Sequence, residues 1–176
     1  MREPEPAADF EGLVLPLLPS AYNLARWLTR NDHDAEDVVQ EAFLRAFRFF
    51  PSFRGGDPRA WLLTIVRNAC WTWLRANRAR EVATALEDVD EPVDVAASVE
   101  EDLVRRADGP RLKRALDQLP GEFREVIVLR ELEELSYREI AEVAGVPVGT
   151  VMSRLARARR RLQSALAGPL AAEVGT

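Results

Sequence analysis

The segment from Ser136 to Leu162, SYREIAEVAGVPVGTVMSRLARARRRL, constrains the fold most, because it predicts two helices joined by a tight turn. Ser136 and Glu139 have the spacing of a capping box, which begins a helix. Gly145 should end that helix, since glycine accepts the left-handed conformation of a C-terminal cap, and Pro147 suits the start of a second helix. A turn of about three residues between two helices is typical of a helix-turn-helix unit.

The two faces of the second helix differ in chemistry. A helical period predicts that the buried face consists of Val148, Val151, Met152, Leu155, Leu162 and Leu166. The opposite face carries Thr150, Ser153, Arg154, Arg157, Arg160 and Arg161. A solvated charged face usually mixes both signs, whereas no acidic residue occurs between Gly145 and Leu166. Because guanidinium groups match phosphates and guanine edges, this face predicts binding in the major groove of DNA.

Charge is distributed unevenly along the chain. The formal net charge is -5 and the pI is about 5.1, although a nucleic-acid binder is expected to be basic. Residues 1–80 and 109–176 have net charges of +1 and +2, whereas residues 81–108 have a net charge of -8. This acidic segment contains no aromatic residue, which predicts a mostly disordered linker with a helical turn near Ser98 to Arg106.

These patterns predict an all-α protein of two small helical domains joined by a flexible acidic linker, the C-terminal domain being a helix-turn-helix. Its expected parts are a first domain at 1–80, a linker at 81–110, a second domain at 111–168 and a tail at 169–176. Each domain is large enough for a small helical core but too small for a large enzyme core.

Several classes of function lack support in the sequence. Cys70 and His33 are single, so they form neither an internal disulfide nor a zinc site by themselves. We expect Cys70 to be a buried helix residue and His33 a loop residue beside a helix start. There is no pattern for a phosphate loop, a metal cluster or a catalytic triad, so we expect no cofactor and no enzyme activity. A signal peptide and an apolar run of about 20 residues are also missing, which predicts a cytoplasmic protein.

The segment from Asp34 to Phe47 predicts a helix with acidic residues in its first turn, where they favour the helix dipole. The predicted core positions are Ala35, Val38, Val39, Ala42, Phe43 and Phe47. The predicted outer face consists of Asp37, Gln40, Glu41, Leu44 and Arg45. A single exposed leucine among charges is ordinary in itself, so this pattern indicates a docking surface only weakly.

A second helix is predicted from Arg59 to Arg80, after a glycine-containing loop. One face carries Leu62, Ile65, Val66, Ala69 and Trp73. The other face carries Thr64, Arg67, Asn68, Trp71, Arg75 and Arg78. Trp71 either packs against another helix or, with the arginines, stacks on unpaired bases, and the sequence favours neither interpretation. In the second interpretation Phe53 and Arg54 of the loop would help to enclose an extruded base.

Through these segments and their order, the chain resembles an extracytoplasmic-function (ECF) sigma factor of bacterial RNA polymerase. The resemblance extends from about Phe10 to Leu166 and rests on DAEDVVQEAFLRAF, FRGGDPRAWLLTIVRNACWTWLR, the acidic linker and LDQLPGEFREVIVLRELEELSYREIAEVAGVPVGTVMSRLARARRRL. It implies a dissociable polymerase subunit that directs promoter-specific initiation. One alternative is a stand-alone helix-turn-helix regulator, which would bind a repeated duplex site tightly, typically as a dimer. The other is a nucleic-acid enzyme, against which the missing metal and nucleophile sites argue.

The resemblance also implies roles for individual residues. Contacts to the clamp helices of the largest polymerase subunit would come from Asp37, Gln40, Glu41 and Leu44. Recognition and melting of the minus-ten element would involve Phe53, Arg54, Gly55, Asp57, Arg67, Asn68, Trp71 and Arg75. Contacts to the minus-thirty-five element would come from Thr150, Ser153, Arg154 and Arg157. The C-terminal domain would also contact the polymerase flap, and the linker would run toward the RNA exit path. An anti-sigma factor is a common partner in the family. Two positions depart from the family pattern, Thr72 where an acid is frequent and Met152 where a base is frequent.

Overall fold

The computed structural model describes residues 6–85 and 109–167, which form two compact units of helices with no strand in either range. The all-α prediction is confirmed for these residues. The first unit contains α1 (Pro6–Leu13), a 3₁₀ turn (Leu15–Leu17), α2 (Leu18–Thr29), α3 (Asp32–Phe49), a 3₁₀ turn (Phe50–Ser52) and α4 (Pro58–Ala85). The second unit contains α5 (Gly109–Asp117), α6 (Gly121–Ile127), a π-helical turn (Val128–Leu132), α7 (Tyr137–Ala144) and α8 (Val148–Ala167).

The predicted linker is only partly within the described residues. Helix α4 continues to Ala85, five residues beyond the predicted domain end at residue 80, and α5 begins at Gly109. Residues 86–108, including the predicted turn near Ser98 to Arg106, lie outside the described residues, as do residues 168–176.

The core of the first unit lies where α2, α3 and α4 pack against one another. Fully or almost fully buried side chains from these helices include Leu24, Leu28, Val38, Leu62, Leu63 and Val66. Burying one such side chain stabilises the fold by about 1.5 to 3 kcal/mol relative to leaving it exposed. Cys70 is buried in the same core, as the sequence predicts.

The turn between α2 and α3 is fixed by local polar contacts. Arg30 ends α2 in the left-handed conformation, with φ 59°. Asn31 begins α3, because its side-chain Oδ1 accepts a hydrogen bond from the amide of Asp34 at 3.0 Å. Arg26 on α2 forms a hydrogen-bonded ion pair with Asp32 across the turn. These contacts set the angle at which α3 leaves α2.

The second unit is built around α8, against which α5, α6 and α7 pack. Its buried apolar side chains include Val126, Leu129, Ile140, Val151 and Leu155. Arg124 is also buried, and its guanidinium donates to the backbone oxygens of Leu116, Asp117 and Leu119 at the end of α5. The turn that joins α5 to α6 is therefore closed by one charged side chain.

Candidate nucleic-acid interface

The helix-turn-helix consists of α7, the turn Gly145 to Pro147, and α8. The Oγ atom of Ser136 accepts a hydrogen bond from the Glu139 amide at 3.2 Å, while the Ser136 amide donates to Glu139 Oε2 at 2.6 Å. Gly145 ends α7 with φ 67°, in the left-handed region. The predicted capping box and glycine cap are both confirmed.

Helix α8 packs against the unit through Val151, Leu155 and Ala158. The opposite, exposed face of α8 carries Gly149, Ser153, Ala156 and Arg160, with Met152 and Arg157 at its two sides. The prediction that Val148 and Met152 are buried is wrong, since they are 37% and 54% exposed. The packed face is centred between Val151 and Ala158, and the small Ala158 was not included in the predicted apolar stripe. The true face is therefore rotated away from Met152.

The arginines of α8 have two different environments. The Arg154 side chain is only 21% exposed, and its Nη2 lies 3.5 Å from Oε2 of Glu122 on α6. Arg159 donates to Oε1 of Glu131 at 3.0 Å, and this hydrogen bond raises the pKa of the Arg159 guanidinium. Similarly, the Arg161 guanidinium lies 5.2 Å from the ring centre of Phe123.

Arg157 and Arg160, by contrast, are exposed on the outer side of α8. Their guanidinium groups can therefore reach a phosphate or a base without first leaving an acidic partner in the described part of the chain. Thr150 is half-buried and Ser153 is exposed. Of the four residues predicted to face the minus-thirty-five element, Ser153 and Arg157 are the most accessible, and Arg154 is the one held by an ion pair.

The loop before α4 contains the first group of predicted minus-ten contacts. Gly55 and Gly56 have φ values of 88° and 94°, a conformation that other residues rarely adopt. Asp57 begins α4, because its Oδ1 accepts a hydrogen bond from the Arg59 amide at 3.0 Å. Arg54 is exposed. The backbone conformation of the loop therefore depends on its two glycines, and the carboxylate of Asp57 caps the N-terminus of α4.

A cluster of five aromatic side chains, Phe10, Phe47, Phe50, Phe53 and Trp61, supports this loop. The ring of Phe53 lies 5.1 Å from Trp61 on α4 and 6.0 Å from Phe50. Phe10 on α1 contacts Phe47 and Phe50 edge to face, at 5.2 and 5.4 Å between ring centres. The cluster thus connects α1, the end of α3 and the start of α4 with the loop. The supporting roles of Phe10 and Trp61 were not predicted from the sequence, because no local spacing pairs residues that are so distant in the chain.

The second group of predicted minus-ten contacts lies on one face of α4. The Arg67 guanidinium lies 5.6 Å from the ring centre of Trp71, and its Nη1 donates to Oδ1 of Asn68 at 3.3 Å. Arg75 donates from Nε to the backbone oxygen of Trp71 at 3.3 Å. Trp71 is half-buried, whereas Asn68 and Arg75 are exposed. Helix α4 therefore presents an indole beside two guanidinium groups on one surface.

Trp71 lies about three helical turns beyond the residue of α4 that contacts the loop. Trp61, which contacts Phe53 of the loop, precedes Trp71 by ten residues on the continuous helix α4. At a rise of 1.5 Å per residue these positions are about 15 Å apart along the axis. The interpretation in which Trp71 and the loop enclose one extruded base stays a prediction, and such a base would have to extend along α4 from the loop to Trp71.

The predicted outer face of α3 is exposed at Asp37, Gln40, Glu41 and Leu44. Leu44 is 65% exposed, and it is the large apolar side chain of this predicted outer face. Glu41 accepts a hydrogen bond from Arg45 Nε at 2.9 Å. Burial raises the pKa of Asp34, in the first turn of the same helix. This face therefore combines carboxylates with one accessible leucine.

Phe47 was predicted to be in the core of the first unit, and that prediction is wrong, since it is 56% exposed. Ala46 occupies the buried position at this end of α3. Phe47 instead projects beside Leu44, three residues earlier on the helix, and touches Phe10 with its edge. It adds a second apolar side chain to the exposed surface of α3.

The single histidine lies on α3 near an acidic side chain. His33 lies in the first turn of α3 rather than in a loop, because α3 begins at Asp32, two residues earlier than expected. Its Nε2 atom is 3.8 Å from Oδ2 of Asp37. Among residues 6–85 and 109–167, no cluster of three or more histidine, cysteine or acidic side chains is arranged to hold a metal ion. No helix in these ranges is long and apolar enough to cross a membrane.

Two family models match the two helical units. The model for sigma-70 region 2 matches residues 13–80, and the model for sigma-70 region 4 matches residues 110–162. The ECF RNA polymerase sigma-E factor of Haemophilus influenzae is 36% identical over 80% of this chain and 78% of its own length. The chain belongs to the ECF sigma factor family. As a member of that family, it is a sigma factor that directs the initiation of transcription.

Other relatives of this sigma factor cover most of its length. The ECF RNA polymerase sigma factor SigE of Mycolicibacterium smegmatis is 38% identical over 90% of the chain, and the chain spans 62% of the length of that relative. The sigma factor RpoE of Bartonella quintana, solved in complex with the anti-sigma factor NepR, is 33% identical with a TM-score of 0.76 over 92% of this chain and 98% of that one. CnrH, solved with the cytosolic domain of CnrY, is 28% identical with a TM-score of 0.65 over 93% of this chain and 90% of that one.

Proposed function

We propose that this sigma factor binds core RNA polymerase and recognises promoters through two separate DNA interfaces, one in each helical unit. The observation that supports this proposal is the presence of two chemically different surfaces in one chain. One is an indole flanked by arginines on α4, and the other is the exposed face of α8. The first suits unpaired bases and the second suits a duplex groove.

The domain division follows from the same proposal. Residues 1–80 act as region 2, residues 81–110 as the acidic linker and residues 111–168 as region 4, with a tail at 169–176. The matches to regions 2 and 4 support this division. The continuous helix through residue 80 means that the linker begins as an extension of α4.

Core polymerase is the proposed partner of the outer face of α3. Leu44 supplies an apolar side chain that the fold leaves exposed, and Asp37, Gln40 and Glu41 surround it with acidic and polar groups. An apolar anchor within a polar rim is the usual composition of a protein interface. We assign this face to the clamp helices of the largest polymerase subunit, and the second unit to the polymerase flap.

The minus-ten element is the proposed ligand of the loop and of the α4 surface. The loop contributes Phe53, Arg54, Gly55 and Asp57, and α4 contributes Arg67, Asn68, Trp71 and Arg75. Since Trp61, which contacts the loop, and Trp71 are about 15 Å apart along the axis of α4, we propose that the loop and Trp71 contact different nucleotides of the opened strand. Stacking on an aromatic ring contributes about 1 to 3 kcal/mol per base and favours separated strands.

The minus-thirty-five element is the proposed ligand of α8. Ser153 and Arg157 lie on the exposed side, Thr150 lies beside them, and Arg154 reaches the DNA from its ion pair with Glu122. In this proposal the protein is a binding subunit and not an enzyme, and it acts with polymerase in the cytoplasm. The complex of RpoE with the anti-sigma factor NepR supports an anti-sigma factor as a further partner.

DNA binding with and without core polymerase tests the proposal against a stand-alone helix-turn-helix regulator. We expect the free protein to bind a promoter fragment weakly, and the protein with core polymerase to bind one asymmetric promoter tightly. Tight binding of a repeated site by the free protein as a dimer, with no effect of added core polymerase, would support the regulator instead. The match to sigma region 2 at residues 13–80 favours the sigma factor, since duplex binding by a stand-alone helix-turn-helix does not require this unit.

A further inference from the structure

Met152 is an exposed apolar residue on the helix that is proposed to enter the DNA groove. It is 54% exposed on α8, and it lies on the solvent side of the packed residues Val151 and Leu155. Core packing therefore does not explain the choice of a methionine at this position. An unbranched thioether side chain exposes apolar surface to water unless a ligand covers it.

Toward the centre of the exposed face of α8, the neighbours of Met152 are small. Gly149, Ser153 and Ala156 lie at the exposed positions beside it, three residues before, one after and four after. Small side chains let the helix backbone approach a ligand closely, so that a longer side chain among them reaches deepest. Arg157 is exposed on the other side of this strip and supplies the charge for phosphates or guanine.

The chemistry of Met152 selects one group in the major groove. A thioether cannot donate a hydrogen bond and does not attract phosphate, so it gains little from the DNA backbone. The apolar group that base edges present in the major groove is the 5-methyl group of thymine. On α8 the exposed large apolar residues in the described range are Val148 and Met152, which together form too small a patch for a stable protein interface.

We infer that Met152 is a specificity-determining residue that contacts the methyl group of a thymine in the minus-thirty-five element. This inference rests on the proposed function, since it requires α8 to lie in the major groove of promoter DNA. The contact of Met152 with this methyl group adds a preference for a T·A pair at one position, next to the contacts made by Ser153 and Arg157.

Deoxyuridine substitution isolates this contact, because deoxyuridine pairs like thymidine but lacks the methyl group. Each thymine of the minus-thirty-five element, in either strand, is replaced in turn, and binding by the protein with core polymerase is measured for each duplex. For the unaltered protein, we expect one replacement to weaken binding about three- to fivefold, the effect of removing one methyl contact. For Met152→Ala, that same replacement should have no effect.

A matched control is Leu112→Ala, since Leu112 is also an exposed apolar residue of the second unit but lies on α5. It should keep the full sensitivity to deoxyuridine. Equal sensitivity of Met152→Ala and the unaltered protein would overturn the inference, and so would insensitivity of the unaltered protein at every thymine. In either of these cases the protein with core polymerase still binds the unmodified promoter duplex specifically, so the proposed function stands. Absence of that specific binding would contradict the proposed function itself.

Discussion

Arg124 Nη2 donates a hydrogen bond to the backbone oxygen of Leu119 at 2.7 Å, and the same side chain donates from Nε to Leu116 at 3.0 Å. Both contacts are buried, and they close the turn between α5 and α6. Replacing Arg124 by Met keeps the apolar part of the side chain but leaves these oxygens without the donor. We expect a loss of about 3 kcal/mol of stability in the second unit.

Hydrogen exchange measured by mass spectrometry is suited to this prediction, because it reports the opening of residues 109–167 separately from the first unit. Arg138→Met is the matched control, since Arg138 is exposed on α7. In this variant the free energy of opening of residues 109–167 should change by less than about 0.5 kcal/mol. Unchanged protection in Arg124→Met would mean that the turn does not depend on the guanidinium.

Two glycines of the helix-turn-helix should respond to alanine with opposite signs. Gly145 has φ 67°, so alanine there adopts a strained conformation, and we expect a loss of about 1 kcal/mol. Gly149 lies within α8, and no atom lies within 4 Å of the position that a Cβ would take. Gly149→Ala should therefore stabilise α8 by up to about 1 kcal/mol, since alanine has the higher helix propensity. Thermal unfolding of the two variants measures the change in stability of each. A change of the same sign in both variants would contradict the left-handed cap at Gly145.

The exposed face of α3 can be tested by its affinity for core polymerase. Leu44 is 65% exposed, so Leu44→Ala should leave the fold unchanged while lowering the affinity about tenfold. Val82→Ala is the control, because Val82 is similarly exposed near the end of α4. Titration of labelled protein with core polymerase gives both dissociation constants. If Leu44→Ala binds as tightly as Val82→Ala, the assignment of this face to the polymerase is wrong.

Trp71 should matter for strand separation more than for the binding of DNA that is already open. Loss of its stacking contact should weaken open-complex formation by about 1 to 3 kcal/mol per stacked base. We expect Trp71→Ala to reduce the permanganate reactivity of thymines on a duplex promoter. On a premelted promoter, the activity of this variant should remain close to that of the unaltered protein. Trp71→Phe, which retains an aromatic ring, should keep most of the activity. Equal activity of Trp71→Ala on duplex and premelted templates, in a normally folded variant, would assign Trp71 a structural role.

Local sequence signals predicted the local structure of the helix-turn-helix. Ser136, Glu139 and Gly145 interact with backbone within four residues, so their spacing alone contains the information for the caps. The outer face of α3 was likewise predicted by helical periodicity. These features depend on neighbours in the chain and not on packing between distant segments.

Some features that depend on tertiary packing were not predicted correctly. Periodicity indicates which residues share a face, but small residues such as Ala46 and Ala158 decide how close the neighbouring helices come. The fold therefore exposes Phe47 and Met152, which helical periodicity assigned to the core. The ion pair of Arg154 with Glu122 joins residues that are far apart in the chain, and no spacing rule indicates it.

Transcription in vitro with purified core polymerase tests the central claim most directly. Genomic DNA fragments are transcribed by core polymerase with and without this sigma factor, and the 5′ ends of the transcripts are sequenced. We expect added protein to produce transcripts from a small set of start sites that share one minus-ten and one minus-thirty-five sequence. If the protein neither binds core polymerase nor yields a start site that core polymerase alone lacks, the account is contradicted.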